Sequence, residues 1–383
     1  MIPKILVSAG EASGDLYTAH LVTALRKRMP GAEFFGCAGP RMRQAGVRGV
    51  VDAASLSVVG LVEVVRHIPR IYGEYRRMRE AARSERPDLA ILTDSPDFHL
   101  PLSNRLRRMG VPVVYLVAPQ AWAWRPGRLR HLRRVSRLLC LFPFEEDFFR
   151  RHQVPAVYIG HPLTRLVRPS LQRQEFFGKH RLPPDRPLIV LLPGSREGEI
   201  ERHLGPLVEA VGILYRRQAL TFILATPAGG PGAAFFRQRI SGSPIQVIEG
   251  ETWDAIAHAG LALAASGTVT IEAAILGTPM VTYYRVAPLS WRLGRRLVWA
   301  PYLTMVNLVA GRAIVTELMQ NDMTGPRLAE EATRLLADSE VRSRMRRELE
   351  QVKNLLATSV DPIERAADLV IESFEKELLN VSR

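Results

Sequence analysis

Residues 261–281, LALAASGTVTIEAAILGTPMV, limit what this chain can fold into more than any other stretch. Leu261–Ala264 is short and apolar, like the end of a buried strand. Ser266-Gly267-Thr268 turns the chain, and Thr268 is placed to cap a helix carrying Ile271, Glu272, Ala273, Ala274 and Leu276. Gly277-Thr278-Pro279 stops that helix, and Met280–Tyr283 reads as the next strand. A strand, a small-residue turn and a helix N-terminus make an anion site, because the free amides and the helix dipole point outward. Glu272 falls on the same helix face as Thr268, where a carboxylate can accept both hydroxyls of a ribose. The same residues serve equally well as an ordinary βα turn with a solvated Glu.

The chain has 383 residues, enough for two domains, and 47% of them are apolar, enough to fill two cores. Only Cys37 and Cys140 are present and they form no CxxC, so neither a disulfide framework nor a zinc site is expected, and a reducing cytoplasm is the simplest setting. Met1-Ile2-Pro3-Lys4 leads straight into an apolar strand, so no signal peptide is expected. No window makes a membrane span, since Glu272 and Pro279 interrupt the longest apolar stretch. The net charge is +14, and residues 1–150 hold 24 basic against 14 acidic residues, which places most of the excess there. Such a surface suits nucleic acid, a membrane or phosphorylated substrates.

In the first half, strand Lys4–Ser8 runs into Ala9-Gly10-Glu11-Ala12-Ser13-Gly14-Asp15 and an amphipathic helix to about Met29. Gly10 and Gly14 can let a ligand approach, and Glu11, Ser13 and Asp15 can hydrogen-bond a sugar; a plain turn with Ser13 or Asp15 as cap fits as well. Val58–Tyr75 repeats Val58, Leu61, Val62, Val65, Ile68, Tyr72 and Tyr75 at helical spacing beside an Arg-rich face. This suits a helix on an anionic membrane, or a core helix with a solvated face. Strand Leu89–Leu92 ends in Asp94 and Asp97, either of which can be a general base or cap the next helix. They form no Asp-x-Asp, so a metal-bridged diphosphate is not indicated. After strand Val113–Val117, Gln120, Trp122, Trp124 and Arg125 suit a sugar face or acyl chain, or else plug a domain interface. An Arg-rich helix is expected next, with Arg128, Arg130, Arg133, Arg134 and Arg137. Glu145, Glu146 and Asp147 read as an acidic helix N-terminus, and His161 as a structural histidine or a phosphate contact.

Residues 163–186 are polar and carry Pro169, Pro183 and Pro184, which makes them the linker candidate. Strand Leu188–Leu192 then meets Pro193-Gly194-Ser195-Arg196, the same anion-site design with a guanidinium added to pair with a diphosphate. Further strands are expected near Thr221–Ala225 and Ile245–Ile248. Asn307 and Arg312 are surface residues or line a cleft, and the tail from about Pro326 is helical.

Nine segments in order over nearly the whole chain resemble one family: AGEASGD, CAGPRM, DSPDF, PQAWAWR, IGHP, LPGSR, SGTVTIE, GTPMV and NLVAGR. They are similar to the lipid-A-disaccharide synthases, inverting glycosyltransferases of the GT-B type. Ala118, Ala121 and Val306 depart from that pattern, where relatives often carry Ser, Val and Pro. The resemblance implies an α/β fold of two Rossmann-like domains facing each other across a cleft. Residues 1–165 would form the acceptor and membrane-facing domain, residues 166–357 the nucleotide-sugar domain, and a last helix near 358–383 would pack back on the first. It implies transfer of 2,3-diacylglucosamine from its UDP derivative to 2,3-diacylglucosamine 1-phosphate, giving a β-1,6-linked disaccharide 1-phosphate and UDP. Asp97 would be the general base and Arg196 would stabilise the leaving diphosphate. Gly194, Ser195, Ser266, Gly267 and Thr268 would hold the donor, with Glu272 on its ribose and Asn307 and Arg312 nearby. Glu11, Ser13, Gly14, Asp15, Gln120, Trp122 and Trp124 would line the acceptor side. The resemblance implies no metal and no cofactor, a membrane surface met by residues 58–79 and the basic first domain, and a peripheral place on the cytoplasmic face of the inner membrane. A homodimer is compatible with it, and a nucleic-acid partner is not expected. A UDP-sugar 2-epimerase of the same fold is the alternative.

Overall fold

The computed structural model describes residues 2–56, 61–228, 232–288, 291–292 and 298–381, with side chains omitted for 61–67 and 377–381. The chain divides into two compact units. The first comprises Met1–Pro162, Gly294–Trp299 and Leu356–Arg383, the second Leu163–Leu293 and Ala300–Leu355.

Short apolar runs bounded by Gly, Pro and polar turns become strands covered on both faces, as in parallel sheets. In the first unit these are β1 (Lys4–Ala9), β2 (Glu33–Ala38), β3 (Arg48–Asp52), β4 (Leu89–Thr93), β5 (Val113–Leu116), β6 (Arg137–Cys140) and β7 (Ala156–Tyr158). They form one parallel sheet in the order β3-β2-β1-β4-β5-β6-β7. In the second unit β8 (Leu188–Leu192), β9 (Thr221–Thr226), β10 (Ile245–Glu249), β11 (Leu261–Ala265), β12 (Met280–Tyr284) and β13 (Thr316–Met319) pair in parallel as β10-β9-β8-β11-β12-β13. Each sheet therefore reverses its winding beside its first strand, between β1 and β4 and between β8 and β11. At such a reversal the helices on either side lie on opposite faces, and a crevice opens at the carboxyl ends of the strands. The registers pair Ala9 with Thr93 and Ala264 with Leu192, so the turns that follow lie side by side. The core is deep at these strands: Ile5, Leu6 and Val7 of β1 and Ile189, Val190 and Leu191 of β8 have no exposed surface. Truncating one such Leu to Ala costs about 2–5 kcal/mol.

Several sequence expectations change. Strands β3 and β13, which the sequence reading does not include, each form the edge of a sheet. Residues 163–186 are a folded part of the second unit and not a linker. They hold the helices Leu163–Leu166 and Arg173–His180, Phe176 and Phe177 are buried, and Asp254 accepts the N–H groups of Ser170 and Leu171 at 2.7 Å each. The Arg-rich segment after Arg125 is helical only as a turn at Pro126–Arg128 and over Leu129–Leu132, and Arg128 is buried. Glu145 and Glu146 do open a helix, Pro143–Arg151.

The helix expected over Val58–Tyr75 runs Leu61–Glu85. Residues 58–60 and the side chains of Leu61, Val62, Val65 and Arg66 lie outside the described residues. Of the remaining stripe, Tyr75 meets Phe98 edge-on at 6.0 Å, while Ile68 and Tyr72 stay exposed beside Arg70. Among the described residues no helix is long and apolar enough to cross a membrane. The last helix, Pro362–Val381, belongs to the first unit, where Glu364 and Asp368 pair with Arg28 at 2.6 and 3.2 Å and Glu372 pairs with Arg137 at 3.0 Å.

Candidate active site

At the reversal of the first sheet, β4 leaves through Asp94 (φ +54°) and Ser95 (φ +37°), two successive non-glycine residues in the left-handed region. Each such residue costs on the order of 1–3 kcal/mol and persists only where its surroundings impose it. Here they do. The Asp94 carbonyl accepts from Tyr115 Oη at 2.5 Å and from His99 Nδ1 at 2.9 Å. The Asp94 carboxyl turns inward and accepts the Gly10 N–H at 2.9 Å. That amide lies just before the helix Ala12–Arg28, whose N-cap residue, Glu11, gives no side-chain cap. A Cβ on Gly14 would stand 1.8 Å from Asp94 Oδ2, and one on Gly10 2.0 Å from Ser95 Oγ. What the two glycines admit is therefore the neighbouring strand's own turn. Asp94 keeps some exposed surface, but its Oδ2 is closed off without a hydrogen-bond partner. Burial, with the charge of Glu11 second, holds this carboxyl well above the usual range.

Asp97, second residue of the helix Pro96–Arg108, faces the other way, with 70% of its side chain exposed. It accepts from Arg125 Nη1 at 2.8 and 3.0 Å and from Arg128 Nη2 at 3.0 Å. Both guanidiniums also lie 4.6 Å from the centre of the Trp124 ring. Of the two carboxylates after β4, then, one is spent inside the fold and the other is presented to solvent. Gln120 is exposed and Ser13 half-buried. Trp122 is tied inward: its indole N–H donates to Glu145 Oε1 at 3.1 Å, its ring meets Phe144 edge-on at 5.0 Å, and burial pushes Glu145 up to about 7. Asp15 has a structural task too, because its two oxygens accept the N–H groups of Arg41 and Met42 at 3.0 and 3.1 Å. His161 is buried against Tyr17 and Phe142, and burial holds it down to about 3.

At the reversal of the second sheet the turns are built differently. Gly194 adopts φ +118°, a conformation side chains rarely allow. Arg196 is the N-cap residue of the helix Glu197–Arg217 but gives no side-chain cap, and its Nη1 reaches Glu199 Oε1 at 2.9 Å. Glu199 is buried and accepts Tyr284 Oη at 2.7 Å as well. Beneath this turn His203, fully buried, contacts the Pro193 carbonyl through Nδ1 at 2.7 Å and accepts the Arg285 N–H at Nε2, 3.0 Å away. After β11, Ser266 Oγ donates to the Leu303 carbonyl at 3.1 Å, while Gly267 and Thr268 are exposed. The helix runs Thr268–Ile275 with Gly267, not Thr268, at the cap position and no side-chain cap. Glu272 is half-buried one turn in. Two helix N-termini without side-chain caps and a guanidinium thus sit at the carboxyl ends of adjacent strands, an arrangement suited to a diphosphate.

Two expected donor residues are otherwise engaged. Asn307 is fully buried and its amide is saturated: Nδ2 donates to Val315 O and Glu317 Oε1 at 3.0 and 2.9 Å, and Oδ1 accepts from Ile314 and Val315 at 2.8 and 3.0 Å. It stitches the helix Met305–Ala310 to β13. Arg312 pairs with Glu348 at 2.5 Å, on the helix Ser339–Leu356. His99, Tyr115, Glu199 and His203 went unread in the sequence. Spacing offered a signal for two of them, since Glu199 and His203 fall one and two turns after Arg196 on one helix.

The family model described as lipid-A-disaccharide synthetase matches residues 5–369. A lipid-A-disaccharide synthase from Solibacter usitatus is 61% identical over 382 residues, covering all of both chains. Among solved structures, a UDP-GlcNAc 2-epimerase from Neisseria meningitidis bound to UDP-GlcNAc superposes with TM-score 0.64 at 13% identity, covering 97% of this chain and 100% of that one. The calicheamicin glycosyltransferase CalG4 gives 0.61 at 16%, covering 98% and 99%. At these identities the structural neighbours establish the two-domain GT-B fold and nothing of the chemistry.

Proposed function

The chain belongs to the lipid-A-disaccharide synthetase family, a glycosyltransferase family, and from that premise we propose the following division of labour between its two reversal points. The substrates are UDP-2,3-diacylglucosamine and 2,3-diacylglucosamine 1-phosphate. The acceptor hydroxyl attacks the donor's anomeric carbon, the bond to the diphosphate oxygen breaks, and UDP leaves with that electron pair. The acceptor proton passes to Asp97. Glu11, Ser13, Gln120 and Trp124 contact the acceptor, while Asp15 and Trp122 support them from inside. Arg196 and the amides at Gly194–Ser195 and Ser266–Thr268 take up the charge that grows on the leaving diphosphate, with Glu272 on the ribose. Asn307 and Arg312 shape the strand and helix beside the donor without touching it.

The observation that carries this reading is the contrast between an outward carboxylate after β4 and uncapped helix N-termini beside Arg196 after β8 and β11. One base on the acceptor side and positive potential on the leaving side are what inversion by direct displacement needs. No metal and no cofactor take part in this scheme, and a guanidinium does the work of a cation. The enzyme works at the cytoplasmic face of the inner membrane as a peripheral protein, and the exposed Ile68 and Tyr72 beside Arg70 support that placement. The epimerase alternative rests on fold likeness alone.

The deciding experiment supplies both acylated sugars and follows UDP and disaccharide with and without EDTA. UDP release that depends on the acceptor and survives EDTA is the expected result. UDP release without acceptor would favour the epimerase class, and loss with EDTA would overturn the metal-free scheme. Flotation with vesicles, with and without anionic lipid, tests the membrane placement; recovery independent of lipid would remove it.

A further inference from the structure

We propose that His99 is a positioning residue for the transfer reaction: it clamps the Asp94–Ser95 turn in its left-handed conformation and so fixes the direction in which Asp97 points. The proposal rests on the reading of Asp97 as the base.

The turn has poor intrinsic prospects. Neither Asp94 nor Ser95 is glycine, both have positive φ, and Ser95 precedes Pro96, which disfavours helical backbone in the residue before it. Yet the first turn of the Pro96–Arg108 helix hangs from this point, since the Ser95 carbonyl accepts the N–H groups of Phe98 and His99 at 3.0 Å each. Asp97 lies within that turn. Any relaxation at Ser95 swings Asp97 with it.

His99 is completely buried and contacts both sides of the turn's base. A carbonyl only accepts, so Nδ1 carries the proton donated to Asp94 O at 2.9 Å. Nε2 then accepts the hydroxyl proton of Ser8, 2.7 Å away on β1. The imidazole therefore ties β4's exit to the neighbouring strand, and its ring packs against Phe98 and Tyr115. Burial pushes it down to about 4, so the neutral tautomer these bonds require persists at neutral pH. Tyr115 Oη gives the same carbonyl a second donor at 2.5 Å.

The test compares kcat and KM of the wild type, His99→Phe and His99→Asn, each also in an Asp97→Ala background, together with melting temperatures. His99→Phe keeps the ring and removes both hydrogen bonds. It should lower kcat roughly 10- to 100-fold, the scale of a slight misplacement of a reacting group, with KM for the UDP-sugar unchanged. His99→Asn, whose amide N–H can stand where Nδ1–H stood, should recover most of the loss. In the Asp97→Ala background His99→Phe should cost nothing further in kcat while still lowering the melting temperature. An equal kcat loss in both backgrounds, or none in either, overturns the proposal while leaving the base reading standing. Normal turnover by Asp97→Ala alone overturns the base reading and the proposal with it. Should His99→Phe fail to fold, Tyr115→Phe removes the other donor to the same carbonyl and gives the same comparison.

Discussion

The reversal points of the two sheets share a design down to a buried histidine, and they differ in what the carboxyl at the turn meets. In the first unit His99 grips a backbone carbonyl just past β4, and Asp94 lays its carboxyl on the Gly10 amide, just before the helix Ala12–Arg28. In the second, His203 contacts the carbonyl of Pro193 just past β8, and the carboxyl of Glu199 accepts from Arg196 and Tyr284. The carboxyl of the first site meets a backbone amide, whereas that of the second meets a guanidinium.

The sharpest attempt to break this comparison is Asp97→Ala. Loss of a general base predicts a fall in turnover of about 10²–10⁴-fold with circular dichroism unchanged; normal turnover would leave the first unit without a chemical role. Arg196→Ala should cost about 10²–10³-fold in kcat, the usual scale for one group stabilising leaving-group charge, and an effect confined to KM would make it a binding residue only. Asn307→Ala sharpens the boundary of the second site. Four buried hydrogen bonds disappear, so unfolding in urea should show a loss of about 2–4 kcal/mol, with KM for the UDP-sugar held constant in the folded fraction. Asp94→Ala takes the acceptor from the Gly10 amide. It should cost about 1–3 kcal/mol of stability as a lost buried hydrogen bond, and inorganic pyrophosphate should then raise the variant's melting temperature more than the wild type's; equal shifts would erase the distinction between the sites. The smallest effect concerns acid. His99 is neutral in the fold, held down to about 4, while in the unfolded chain it binds a proton below about 6.5. Its contribution to stability is complete above that value and is lost as the pH falls toward 4, amounting to about 1 kcal/mol by pH 5.5. His99→Asn should flatten that part of the stability–pH curve.

Much of this was legible in the sequence because central parallel strands are buried on both faces and so read as unbroken apolar runs, as LIVLL at Leu188–Leu192 and LALAA at Leu261–Ala265 do. Two of the edge strands were not. Arg48–Asp52 and Thr316–Met319 are short, mix charged with apolar residues, and take their place only from the neighbour they pair with. Residues 163–186 looked like a linker because their prolines and charges outweighed Phe176 and Phe177, whose burial depends on the fold around them. The ambiguity between Asp94 and Asp97 could not be settled by spacing. What turns Asp94 inward is an amide at Gly10, 84 residues earlier, and a backbone conformation that non-glycine residues do not advertise. Asn307 shows the reverse case: a buried amide with four partners and a ligand-binding amide look the same as a letter in a motif.

The first unit is assembled from the beginning and the end of the chain, and this has a consequence for its birth on the ribosome. The helix Pro362–Val381 packs on the helix Ala12–Arg28, burying Ala366, Ala367, Leu369 and Val370. Residues 1–162 emerge first, yet that helix follows only after about 200 further residues, a delay of roughly 10–40 s at ordinary rates of synthesis. The second unit, made almost entirely from the stretch in between, can close in the meantime. Until then the face of the helix Ala12–Arg28 that the last helix covers has no such cover.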